Sequence, residues 1–141
     1  MQTPIRFVLL MGTMLACLLL SGCASRPDEH TTAILVDGGL ISDVLPVNSP
    51  EKVPAVSFQV SGRELLVLPF AEPHTVVIRQ LDGQENTVRM TGVSVQMVDA
   101  TCPNHDCVQM GEITLENLEL RAMGGFIVCL PHQLTVEVRC P

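Results

Sequence analysis

Val56-Ser57-Phe58-Gln59-Val60 alternates apolar and polar residues and is closed by Ser61-Gly62. A period of two places alternate side chains on opposite faces of an extended strand, and a Ser-Gly pair ends the run. The pattern continues towards the C-terminus. Glu64–Leu68 stops at Pro69, His74–Leu81 leads into the hairpin signal Asp82-Gly83, and Asn86–Thr91 and Val93–Val98 flank Gly92. Cys107–Thr114, Leu118–Arg121, Phe126–Leu130 and Leu134–Arg139 complete about eight short runs. Valine dominates them, and β-branched side chains suit a pleated, half-buried surface. Helical spacing is not sustained anywhere past residue 23. The expectation is all-β: a small barrel or sandwich over residues 55–141.

Upstream, residues 24–54 read differently. Ala33–Val36 and Leu40–Leu45 have strand character around Asp37-Gly38-Gly39, but Pro46, Asn48, Ser49, Pro50 and Pro54 break any regular pattern. This stretch is expected to be a tether that docks in part on the domain. Ahead of it, Arg6 leads into the apolar run Phe7–Leu20 and then Ser21-Gly22-Cys23. Fourteen apolar-run residues are too few to span a bilayer core comfortably, and the layout is that of a secretory signal. Leu20-Ser21-Gly22-Cys23 resembles a bacterial lipobox, which implies lipidation at Cys23 and cleavage before it. Residues 1–22 are then a lipoprotein signal peptide. The chain is expected on the extracytoplasmic face of a membrane, held by its lipid anchor.

Charge and composition exclude several classes. The 141 residues carry eight basic against fifteen acidic side chains, a net charge of −7, with one lysine, Lys52. Loss of residues 1–22 removes Arg6 and leaves −8. Nucleic acid is gripped by neutralising phosphates, so no nucleic-acid partner is expected. Gly38-Gly39 and Gly124-Gly125 are turn glycines rather than phosphate loops, and no serine sits in a nucleophile elbow. Met90, Met97, Met110 and Met123 stand singly and read as core filler. Asp99 and Asp106 flank a cysteine loop and read as a turn acceptor and a solvated charge.

Chemistry concentrates in two loops: Cys102-Pro103-Asn104-His105-Asp106-Cys107 and Cys129-Leu130-Pro131-His132. With Val108 and Gly111 after the first, and Val128, Leu134 and Val136 around the second, they resemble the NusG domain II family. The resemblance runs from Phe58 to Arg139; the lipobox, the tether and Cys140-Pro141 lie outside it. It implies a small β-rich domain, found as an insertion in some NusG transcription factors and as a stand-alone anchored or secreted bacterial protein. It also implies a setting near exported flavin and electron-transfer systems, without an activity. Export and acidity set the transcription role aside.

Three readings of the loops stand. An exported chain permits disulfides, and Cys102, Cys107, Cys129 and Cys140 allow three connectivities; Cys140 is a poor partner for Cys129 across the hairpin. Alternatively, Cys102, Cys107 and Cys129 with His105 and His132 form a donor set for zinc or another metal. Its C-x2-H spacing departs from the C-x-H of a Rieske loop. Thirdly, Cys102 and Cys107 act as a redox pair with His105 assisting, although no helix N-terminus is expected beside them. The reading as a whole is a non-enzymatic accessory or interaction module with a protein partner and no resident cofactor. A thiol- or metal-dependent redox protein is the alternative.

Overall fold

The computed structural model describes residues 32–41 and 53–141. Nine strands form two antiparallel sheets among them. One joins β1 (Ala33–Val36), β2 (Gly39–Ile41), β5 (Pro73–Arg79), β6 (Glu85–Thr91) and β7 (Val95–Ala100), in the order β2-β1-β5-β6-β7. The other joins β3 (Ala55–Val60), β4 (Arg63–Pro69), β8 (Phe126–Cys129) and β9 (Leu134–Arg139), in the order β4-β3-β9-β8. The sheets stay open, so of the two expected architectures the protein is a sandwich and not a closed barrel.

Alternation decides which residues meet between the sheets. Phe58, Val56, Val136, Leu134 and Ile127 from one sheet and Ile34, Val76, Ile78, Val88 and Met97 from the other are fully buried in a single apolar cluster. With no Trp or Tyr in the chain, Phe58 is the largest of these fully buried side chains. Two β-bulges interrupt the ladders, at Phe58/Gln59 and at Thr87/Val88. The first brings Leu65 and Leu66 into the core cluster in succession, which strict alternation forbids.

Three expectations are corrected. The domain does not begin at residue 55: the expected strand Ala33–Val36 is β1, which docks along its whole length on β5, and Ile34 is 1% exposed. The turn between β1 and β2 is bound to β5, with Asp37 accepting from the Thr75 amide at 2.8 Å and from His74 Nδ1 at 2.8 Å. These bonds hold Asp37 in the left-handed region, at φ 51°. The remainder of the expected second strand, residues 42–45, lies outside the described residues, as do Cys23 and the lipobox. Cys107–Thr114 is not a strand. Its start coils into the single helical turn α1 (Asp106–Gln109), and only Ile113 returns to the sheet, bridging Val95. Leu118–Leu120 is likewise a 3-10 turn rather than a strand. Met90 and Met97 are buried filler as expected, whereas Met123 is half exposed.

Gly125 marks the entry to β8. Its carbonyl accepts from the Val138 amide at 2.8 Å, and an added Cβ would stand 2.7 Å from the Val138 carbonyl oxygen. Such an approach requires glycine.

Because β1 completes the sheet, Ile34→Ala is expected to lower the unfolding free energy by about 2–5 kcal/mol in urea titration. A change within about 0.5 kcal/mol, as at an exposed site, would show that this strand is dispensable.

Candidate functional site

The turn chemistry around residue 102 builds the site. β7 ends at Ala100, and Thr101 binds back to Glu85, its Oγ1 accepting from the Glu85 amide at 2.9 Å and its own amide donating to the Glu85 carbonyl at 2.9 Å. That anchor turns Cys102 inward. Pro103-Asn104-His105 then rounds the outside, with His105 at φ 53° starting α1. The helical turn delivers Cys107 back under the loop. From the other sheet, the last residue of β8 is Cys129, paired with Leu134 of β9.

The three sulfurs converge. Cys102, Cys107 and Cys129 lie with their Sγ atoms all within 4.8 Å of one another, at exposures of 1%, 2% and 1%. Cys102 Sγ and Cys107 Sγ are 3.6 Å apart, beyond the ~2.05 Å of a disulfide, so the expected bridge is not formed here and the thiols are free. Burial, reinforced by the neighbouring thiols of Cys102 and Cys129, pushes the Cys107 thiol up to about 12. Its place in the first turn of α1, which the strand reading missed, does not reverse this. A four-residue turn has little dipole, and desolvation of a thiolate dominates. At neutral pH Cys107 behaves as a small apolar thiol.

Neither histidine joins them. His105 is exposed on the loop. His132 is buried, but its Nδ1 donates to Asn86 Oδ1 at 2.6 Å, and Gln80 Nε2 donates to its carbonyl at 2.8 Å. It therefore bolts the β8–β9 turn to β6 and to the turn after β5, across the two sheets. Of the five-residue donor set expected from sequence, the structure assembles the three cysteines alone. Cys140 is exposed and apart, in keeping with its dismissal as a partner for Cys129. Asp99 accepts from the Ala100 amide, but within β7 and not in a turn, and Asp106 is an exposed charge that opens α1.

A second feature lies about 20 Å away, at the far end of β6 by strand rise. A groove of about 800 Å³ opens between Pro69, Phe70, Gly92, Val93, Thr114 and Leu115. Val93 is 73% exposed and Leu115 44%. Gly92, at φ +84° with the Ala71 carbonyl 2.8 Å from where a Cβ would stand, lets the β6–β7 turn come down against Phe70's loop. Val93 has strand character in sequence, and only its exposure identifies it as surface.

The family model of NusG domain II matches residues 7–140. The chain belongs to the NusG domain II family. The match takes in Cys140 and the upstream segment, both placed outside the family pattern by sequence reading. Among solved structures, a DUF1312 family protein from Enterococcus faecalis V583 is 21% identical, with 62% of this chain and 98% of that chain covered at a TM-score of 0.54. The Lin0431 protein from Listeria innocua is also 21% identical, covering 62% and 95% at a TM-score of 0.52. These likenesses are of fold. No curated protein matches.

Burial keeps His132 neutral and lowers its pKa, against a smaller opposing pull from Asp82. The unfolded chain therefore binds a proton that the folded chain resists, and stability falls as pH drops below about 6.5. His74 has the opposite sign: its bond to Asp37, with Glu72 adding to it, raises its pKa, so its contribution fades as pH rises. Denaturant midpoints measured from pH 7.5 to 5 are expected to show the acid loss in wild type and a reduced loss in His132→Gln. Equal slopes would remove His132 from this role.

Proposed function

We propose that this NusG domain II protein is a lipid-anchored extracytoplasmic accessory domain that captures a protein partner through its apolar groove, without catalytic chemistry of its own. The observation that carries the reading is the groove at the β6–β7 end. A pocket of several hundred cubic ångströms with an apolar lining is the ordinary form of a binding site, and exposed Val93 and Leu115 supply large apolar contacts at its mouth. Glu72 and Glu116 also line it. The occupant that fits is an apolar segment of a membrane-associated protein carrying a basic residue at one flank. Acidity here and across the chain argues against nucleic acid.

Lipidation at Cys23, after removal of residues 1–22, gives the domain its place. An acyl chain contributes about 0.8 kcal/mol per buried methylene, and dual acylation holds a protein firmly, whereas a net charge of −8 does not. Among the described residues no helix is long and apolar enough to cross a membrane. The resemblance supports a setting beside exported flavin or electron-transfer proteins. The alternative, a thiol-exchange protein, is disfavoured by the burial of Cys102, Cys107 and Cys129, since an exchanging thiol needs access and thiolate character.

Two measurements test this. Cys23→Ala is expected to abolish incorporation of labelled fatty acid and to leave the chain at its uncleaved, precursor mass. A photo-reactive residue at Val93 is expected to cross-link one membrane-associated protein, and Leu115→Glu to reduce that adduct at least tenfold. No adduct above that of a photo-reactive residue placed at exposed Asn104 would overturn the groove as the contact.

A further inference from the structure

We infer that Cys102, Cys107 and Cys129 form a binding site for a single monovalent copper ion, Cu(I), in three-coordinate thiolate ligation. Three observations carry it. First, the sulfurs are already gathered: all lie within 4.8 Å of one another, and Cys102 and Cys107 are 3.6 Å apart. An ion at ~2.3 Å from three sulfurs needs them roughly 4 Å apart, so the site closes on an ion by side-chain adjustment alone. Second, the donors are exclusively sulfur, and soft thiolates select Cu(I), zinc or iron–sulfur chemistry over harder ions.

Third, the set has no fourth cysteine, histidine or carboxylate among the described residues. Structural zinc takes four ligands. His105 is exposed on the outer loop, His132 is engaged with Asn86, and no carboxylate or histidine joins the three sulfurs among the described residues. Water is a poor substitute, because each cysteine is 2% exposed or less. Cu(I) is satisfied by three sulfurs in a plane. On binding, S–H bonds break, their protons pass to solvent and three Cu–S bonds form, with no change in oxidation state.

The positions of the ligands also give the site a structural consequence. Cys102 and Cys107 belong to the loop after β7 in one sheet, and Cys129 ends β8 in the other. One ion would staple the two sheets at this end of the sandwich, beside the His132–Asn86 bolt.

The test is Cu(I) titration of the full chain, anaerobic and reduced, against a chromophoric Cu(I) chelator. One Cu(I) per chain is expected, with unchanged affinity in Cys140→Ser. Cys129→Ala should weaken binding beyond the ~10–100-fold that loss of an outer-shell partner costs. Because Cys129→Ala opens the core, X-ray absorption of the wild-type complex provides an independent reading: three sulfurs at about 2.3 Å and no nitrogen scatterer. Equal affinity in wild type and Cys129→Ala, a nitrogen ligand, or displacement of Cu(I) by equimolar Zn²⁺ would each overturn the assignment.

Discussion

The whole arrangement depends on the packing of two open sheets across a core with few large side chains. Val, Ile and Leu fill most of the interface, and Phe58 is the one aromatic among its fully buried residues. A sandwich of this kind gains from burial in proportion to apolar area, so it cannot leave its ends wet. At one end the closure is made by the three thiols, which are part of the same apolar cluster as Phe58 and Ile127. At the other, Phe70 closes the core, and the turn at Gly92 stands over it and leaves the groove.

The closed end works by two unlike means. His132 spans the sheets with directional hydrogen bonds to Asn86 and from Gln80, and burial of a neutral imidazole is tolerated because its Nδ1 proton is satisfied. The cysteines span the same gap with no strong hydrogen bond at all, as compact apolar groups that turn into ligands only when something removes their protons. Packing and binding chemistry are therefore alternative uses of the same side chains. The open end has neither device, and its surface is apolar with two acidic groups on the lining. The domain thus separates a sealed sulfur centre from an accessible contact surface by the length of β6.

Most strands were legible because period-two alternation and Gly, Pro and Asp-Gly punctuation are local signals. β1 and β3 to β9 fall within a residue or two of their expected bounds. The failures have a common cause. Cys107–Thr114 has strand-like composition, yet burying Cys107 beneath Cys102 requires a turn of helix, a tertiary demand that composition does not carry. β1 is legible as a strand, but its membership of the domain is not, because prolines separate it from β3; its seven-residue partner β5 decides its place. At the site, spacing grouped both histidines with the cysteines, since each lies three residues after one. His105 is carried outward by its left-handed backbone, and His132 is claimed by Asn86, a residue with no sequence motif at all. The groove was unreadable, because exposed Val93 and Leu115 look in sequence like any other core residues.

The central claim is that loop 101–110 and β8 form one closed unit through the three sulfurs. Amide hydrogen exchange followed by mass spectrometry, comparing the reduced chain with Cys107→Ala, addresses it most directly. The account predicts that peptides covering residues 100–113 and 126–134 lose protection together, while β3 and β4 keep theirs. Loss confined to residues 100–113, with β8 unchanged, would contradict it.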